Sequence, residues 1–302
     1  MKTPVVFLVF NRPEFTHRVF ARIREARPEK LIVIADGPRA DRVGEAEKCR
    51  QVRELIDSGI DWPCDTVRDY AQTNLGCGRR VASGITNAFN LVEEAIVLED
   101  DCLPDRTFFP FCEELLHRYR DNMKIAAIGG SNHQYCPRTR DGSYYFSHYN
   151  HIWGWASWRR AWRLYDFEMK EWPCWEKNGG IKRMFSALPV RRHFSHLMDF
   201  AYRGRIDTWD VQWTFACWLH QLKSILPAVS LVENIGFSPN ATHTTLAPKL
   251  GIDVKPMKFP LRHPESDSID FEADAHTEAA EYSRPVFWRR VAFRAMQLWR
   301  PN

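Results

Sequence analysis

The chain has 302 residues, 44% of them hydrophobic and 26% charged, a composition that excludes a disordered polymer and leaves room for one large α/β domain with appendages or two small domains. Forty-two Lys and Arg against 38 Asp and Glu give a net charge of +4, too small to argue for nucleic acid and compatible with an anionic ligand or surface. Eight cysteines without a C-x-x-C pair exclude a zinc knuckle or disulfide framework and favour a reducing, cytoplasmic setting.

Residues 5–10 (VVFLVF) read as a buried strand, too short for a signal-peptide core or membrane span. Pro13 suits the first turn of a helix whose apolar stripe is Phe15, Val19, Phe20, Ile23 and Ala26. A second strand starts at Lys30, runs over residues 31–35 and ends in Asp36-Gly37-Pro38. Right-handed crossover makes the two strands parallel and brings Asn11, Arg12 and Asp36 to one sheet edge, where they could hold a nucleotide. Neither G-x-G-x-x-G nor G-x-x-x-x-G-K-[ST] is present.

Residues 45–56 read as a helix broken by Ser58-Gly59, and 65–70 as a short strand. The stretch 74–80 (NLGCGRR) leads into a helix through Ala88 and Val92. Its glycines, with Arg79 and Arg80, can cradle phosphate at a helix N-terminus or form a plain turn.

Residues 95–105 (AIVLEDDCLPD) carry the strongest signal. The apolar run Ala95, Ile96, Val97, Leu98 fits a strand buried on both faces. Glu99, Asp100 and Asp101 cannot stay in such a core, so they lie where the strand emerges, the edge at which open α/β sheets bind ligands. Alternation puts Glu99 and Asp101 on one side and Asp100 on the other. Their mutual repulsion calls for a cation, and a hard divalent ion holding phosphate oxygens would serve; a solvated acidic turn is the plainer reading.

Pro104 and Asp105 open a helix through Phe108, Phe111, Leu115 and Tyr119. Residues 125–128 form a strand ending Gly129-Gly130-Ser131-Asn132, and 144–149 another. Nine of the twelve tryptophans fall between Trp153 and Trp218. Trp158 and Trp162, four apart, pack a helix; Trp153 and Trp155, flanking Gly154, either stack on sugar or fill the core. Asp210, ahead of an apolar helix over 215–222, is a helix cap or a general base. Residues 226–232 read as a final strand and 233–244 as a loop in which His243 reaches metal or pyrophosphate or simply packs. Residues 246–280 read as a lid or linker. Residues 285–299 form a helix with Phe287, Trp288, Val291 and Leu298 on one face and Arg289, Arg290, Arg294 and Arg300 on the other, suited to an anionic membrane surface or to docking on the domain.

The segments FNRPE (10–14), IADGP (34–38), NLGCGRRVASGI (74–85), VLEDDCLPD (97–105), IGGSN (128–132), WGWASWRRAW (153–162), TWDVQW (208–213) and LVENIGF (231–237), in this order and spacing, resemble glycosyltransferases of the GT-A fold. The narrower likeness is to bacterial family-2-like sugar transferases and the N-acetylglucosaminyltransferase I group, over residues 4–245. The resemblance implies a mostly parallel Rossmann-like sheet flanked by helices. It divides the chain into a catalytic domain, 1–245, with a nucleotide-binding half (1–132) and an acceptor-side half (133–245), then the 246–280 lid or linker and the 281–302 basic helix.

It also implies an inverting transfer from a UDP-sugar to a hydroxyl of a glycan or glycolipid acceptor, with Mn²⁺ or Mg²⁺. Asp101 would contact the metal, with His243 a less secure second ligand. Glu99 and Asp100 would support the metal through water, ribose or donor-sugar contacts. Arg12 and Asp36 would hold the nucleotide, with Asn11 and Arg79 beside them. Asp210 would be the base, and Trp153, Trp155 and Trp209 would contact donor or acceptor. The Glu99-Asp100-Asp101 spacing departs from a strict D-x-D. The enzyme would be cytoplasmic, peripheral on the inner membrane through 285–300, and would act on a cell-surface polysaccharide. Two alternatives stand beside it: a non-catalytic carbohydrate- or membrane-binding protein on a degenerate transferase fold, and a sugar-phosphate nucleotidyltransferase, which would need G-x-G-T-R where Asn11-Arg12-Pro13 stand.

Overall fold

The computed structural model describes residues 1–134, 142–236 and 253–282. The chain begins with strand β1 (Val5–Val9), helix α1 (Pro13–Ala26) and strand β2 (Lys30–Ala35), followed by α2 (Glu45–Gly59), β3 (Asp65–Tyr70), α3 (Cys77–Leu91) and β4 (Glu94–Glu99). Then come β5 (Cys102–Pro104), α4 (Phe108–Arg118), β6 (Ile125–Gly129), β7 (Tyr144–Ser147) and β8 (Trp155–Trp158). Four helices, α5 (Arg159–Trp162), α6 (Trp172–Lys177), α7 (Gly180–Met184) and α8 (Leu188–Tyr202), lead to α9 (Asp210–Leu219). Strands β9 (Lys223–Pro227) and β10 (Val232–Asn234) follow, and α10 (Phe271–Thr277) runs into a π turn, Glu278–Tyr282.

The architecture is mixed α/β. Eight strands form one sheet in the order β3-β2-β1-β4-β8-β6-β9-β7. β3, β2, β1 and β4 run parallel. β8 is antiparallel to both β4 and β6, so β6 and its parallel neighbour β9 point the same way as β4. The carboxyl ends of β1, β2, β4, β6 and β9 therefore share one edge, with the amino end of β8 among them.

The central strands are apolar throughout because both faces are covered. Val5, Phe7, Val9, Ile96 and Leu98 pack with Phe108, Phe111 and Leu115 of α4. The intervening Val6, Leu8, Ala95 and Val97 pack with Val81, Ile85 and Phe89 of α3 and with Trp155, Trp209 and Trp213. Glu99 keeps the parity of Ala95 and Val97, so it leaves the sheet on the α3 side, and Asp100 turns to the other. A third core joins Val190, Phe194 and Met198 of α8 to Val211, Phe215 and Trp218 of α9.

Several expected elements differ. Residues 102–104 do not open a helix; they pair antiparallel with β10, and α4 begins at Phe108. The single strand expected over 226–232 is two, because the chain turns where Ala228 N donates to Ser143 O at 2.9 Å and Leu231 N to Gly130 O at 2.8 Å. The helix expected from Phe215 begins at Asp210. The halves divided at 132 share one sheet, with β6 inserted between β8 and β9. The described part of the 246–280 segment packs on the body: Met257, Leu261, Ala273, Asp274 and Thr277 are buried, and Val254 and Ile269 form bridges to Ser230 and Phe146. Among the described residues no helix is long and apolar enough to cross a membrane.

Candidate active site

β4 releases Glu99 at the sheet edge, and Asp100 and Asp101 form the turn into β5. Arg12, directly ahead of α1, lies across them. Its guanidinium donates to Asp101 Oδ2 at 2.8 Å and stands 3.6 Å from Asp100 Oδ1. Phe10 N donates to Asp100 Oδ2 at 3.3 Å. Burial holds the Glu99 carboxyl well above the usual carboxylate range, and the charges of Asp101, Asp100 and Asp210 push it further. Asp100 is also raised, by burial and by Asp101, against the opposing pull of Arg12 and the Phe10 N–H. Burial works against the Arg12 charge, but Asp100 and Asp101 outweigh it and raise its pKa. Arg12 thus supplies, from within the chain, part of the positive charge that the three acids demand.

Asp210 is the first residue of α9, and the helix has no side-chain cap. It does not serve as the cap its position suggested. The Thr208 hydroxyl donates to Asp210 Oδ1 and orients the carboxylate. The side chain is near enough to Glu99 to raise it, so the TWD and EDD motifs meet at one place. Their meeting is secured by Asp207, which the sequence reading passed over. Its carboxylate accepts from Cys77 N at 2.9 Å and Gly78 N at 2.8 Å and so caps α3. Gly78 allows the approach: a Cβ there would lie 2.7 Å from Thr208 O. A second glycine does similar work under Asp101. Ile235 N donates to Asp101 O at 2.8 Å, and a Cβ on Gly236 would lie 2.4 Å from Asp101 Oδ2.

Asp207 thus takes the first two amides of α3, and Asp36 takes those of the loop ahead of it. Asp36 accepts from Gly37 N, Leu75 N, Gly76 N and Asn74 Nδ2 at 2.8, 3.0, 3.2 and 2.9 Å. It organises the 74–76 loop. Burial raises its pKa despite these donors. Asn11 donates to Glu45 Oε1 at 2.8 Å. Glu45, buried at the start of α2 and also bonded to Arg39, is a second residue that sequence reasoning missed. Arg79 is exposed over the Phe167 ring. Arg80 is buried and tied to Ala35 O and Asp69.

Two of the three tryptophans expected to contact donor or acceptor do not reach solvent. Trp155 and Trp209 are 1% and 2% exposed and stack on each other at 5.7 Å. Neighbouring contacts with Trp162 and Trp213 at 5.1–6.3 Å complete an aromatic slab, where each pair adds roughly 0.5–1.5 kcal/mol beyond area burial. Trp153 is half-buried, with its ring 5.1 Å from that of His133. His243 and the 285–300 basic segment lie outside the described residues.

His133 stacks at 4.1 Å on His151, which is buried, and its Nδ1 lies 3.5 Å from Glu281 Oε1. His151 Nε2 has no partner among the described residues, and burial, with His133 next to it, holds the imidazole well below its ordinary pKa. A base depressed in the folded state carries fewer protons than when unfolded, so its contribution is present above the unfolded value and lost as pH falls below it. Thermal melts should show stability falling below about pH 6.5, by at most about 1.4 kcal/mol per pH unit from this group. His151→Gln should flatten that slope; an unchanged slope would assign acid sensitivity to other groups.

Among the described residues no group of three His, Cys, Asp or Glu side chains is arranged to hold a metal ion by itself. The donor chemistry fits a hard divalent ion of the kind bound by one or two carboxylates and completed by phosphate oxygens. Glu99, Asp100, Asp101 and Asp210 supply oxygen donors only, the set such an ion takes.

No family model matches the sequence, and no curated protein matches it. Among solved structures, the chain is similar to a UTP-bound UGPase from Acinetobacter baumannii at 11% identity, covering 78% of this chain and 89% of that one with a TM-score of 0.39. It is similar to a cytidylyltransferase from Leptospira borgpetersenii at 9% identity, over 54% and 64% of the two chains, TM-score 0.34. It is also similar to the galactosyltransferase LgtC in complex with donor and acceptor sugar analogs at 14% identity, over 58% and 66%, TM-score 0.33. Likenesses at these scores decide no chemistry, which has to be read from the chain's own residues.

Proposed function

We propose that this chain is a GT-A glycosyltransferase that moves a sugar from a nucleotide-sugar, a UDP-sugar, to a hydroxyl of a glycan or glycolipid acceptor with inversion. The observation that carries the reading is that the charge of Asp210 reaches the buried Glu99, which leads into Asp100 and Asp101 at the carboxyl end of β4. Asp101, backed by Glu99, would hold Mn²⁺ or Mg²⁺ shared with the donor diphosphate. When bound, such an ion neutralises the charge that builds on the leaving diphosphate.

Arg12, placed on Asp101 and Asp100, can exchange one carboxylate for a phosphate oxygen, a charge-assisted contact of the same kind. Asp210, oriented by Thr208, accepts the proton of the acceptor hydroxyl as that oxygen attacks the anomeric carbon in line. A single base acting on the acceptor gives inversion. Asp36 contributes by shaping the 74–76 loop beside the nucleotide, with Asn11 and Asp100 next to it. Trp153 offers a sugar-stacking face on the acceptor side. The basic segment 285–300 would bring the enzyme to an anionic membrane surface.

A second reading, a non-catalytic carbohydrate- or membrane-binding protein, is favoured by one observation: Arg12 with Asp101, and Asp36 with its four donors, satisfy each other without a ligand. Calorimetric titration with UDP, GDP, CMP and dTDP, each with and without Mn²⁺, separates the two. Metal-dependent binding of UDP alone is the expected result. Preference for another nucleotide changes the donor, and folded protein that binds none of them overturns the enzyme reading.

A further inference from the structure

A second feature shares no residue with the acidic cluster. A surface groove of about 330 Å³ is lined by Lys182 of α7, by Arg191, Arg192, Ser195 and His196 of α8, and by Glu176 of α6. The helix pattern explains why these groups converge. Val190, Phe194 and Met198 commit one face of α8 to the core shared with α9. Arg192 and His196, and likewise Arg191 and Ser195, are four residues apart and stack in rows along the remaining surface. None of Lys182, Arg191 or Arg192 forms an ion pair among the described residues, whereas the neighbouring Arg203 is paired with Asp199 at 2.8 Å. Arg191 Nε also donates to Phe185 O at 2.6 Å, and three cations against the one carboxylate of Glu176 raise the local concentration of anions around the concavity.

Glu176 makes the groove more specific than a basic patch. Its Oε1 accepts from the Ser195 hydroxyl at 2.9 Å, while its Oε2 is buried without a partner among the described residues. A buried acceptor left unmade is costly, and a carboxylate among cations would repel a bare anion unless that anion also brought a donor. We infer that this groove binds a phosphoester carrying a free hydroxyl, the chemistry shared by soluble sugar phosphates and by glycerophosphate lipid headgroups. The phosphate meets Lys182, Arg191 and Arg192, and the hydroxyl donates to the Glu176 carboxylate, whose Oε2 a turn of the side chain brings into the groove. Such a site stands whether or not the acidic cluster transfers sugars.

The test uses the full chain. Glucose 1-phosphate, glycerol 1-phosphate and inorganic phosphate are titrated by calorimetry, and co-sedimentation is measured with vesicles of phosphatidylcholine alone or with a quarter phosphatidylglycerol. The Lys182→Glu/Arg192→Glu double variant alters two exposed side chains and should melt as the parent does. It should weaken phosphoester or vesicle binding about tenfold or more, given roughly 1 kcal/mol for each basic residue at an anionic surface. Lys48→Glu, an exposed lysine of α2, should leave binding unchanged. Glu176→Gln should erase the preference for hydroxylated phosphoesters over inorganic phosphate. Binding of the soluble esters alone identifies a sugar-phosphate site, and binding of the charged vesicles alone identifies a headgroup site. Binding by none of the probes, equal binding by the double variant, or equal weakening by Lys48→Glu overturns the inference.

Discussion

Asp210→Asn is expected to lower turnover by about 10²–10⁴-fold, the usual weight of a general base, while donor binding stays near that of the parent. The substitution is nearly isosteric, and the new amide retains an oxygen for the Thr208 hydroxyl, so the start of α9 should stand. On the proposed reading, what is lost is the basic oxygen that receives the acceptor proton. Turnover measured with saturating donor, beside calorimetric affinity for the nucleotide, separates the roles. Equal losses in both would make Asp210 a structural residue.

Arg12→Ala should change two affinities in opposite directions. Its guanidinium holds Asp101 at 2.8 Å, so a divalent ion must displace it to use that carboxylate. A hydrogen bond to a charged group is worth about 1.5–3 kcal/mol, roughly ten- to hundredfold in a binding constant. Without nucleotide, Mn²⁺ should therefore bind the variant about ten- to hundredfold more tightly than the parent. Nucleotide affinity should fall, because the residue that would move onto the diphosphate is gone. Arg12→Lys should lie between, since an ammonium keeps the charge but loses the fork. Mn²⁺ titration followed by paramagnetic resonance reads the first effect directly, and an unchanged Mn²⁺ affinity would detach Asp101 from the metal role.

How much of this was legible depends on where the determinants lie. β1, β2 and β4 announce themselves because a strand covered on both faces must be apolar along its length, and the acids that follow must emerge at its end. β8 is different. Nothing local says that Trp155–Trp158 enters between β4 and β6 in the opposite direction; that is a property of the assembled sheet. The tryptophans were ambiguous for a related reason, since the same rings suit a sugar or one another, and only burial distinguishes Trp153 from Trp155 and Trp209. Helices α6 and α7 escaped notice because they are six and five residues long, with Pro173, Gly179 and Gly180 among them; α8 was missed although Pro189 suits its first turn and Val190, Phe194 and Met198 recur every four residues. Asp207 could not be read at all, because its partner Cys77 N is 130 positions away. The acidic trio was read as calling for a divalent ion, and Arg12, from within the chain, lies against two of the three acids.

The aromatic slab has an optical consequence. Trp155, Trp162, Trp209 and Trp213 sit with ring centroids 5.1–6.3 Å apart, close enough for excitation to migrate among them before emission. Trp209 immediately precedes Asp210, and Trp153 stands beside His133 at the sheet edge. The molecule therefore carries its own lamp beside the acids. A quencher or an ordered loop arriving at that edge would be reported in the intrinsic emission, with no label attached.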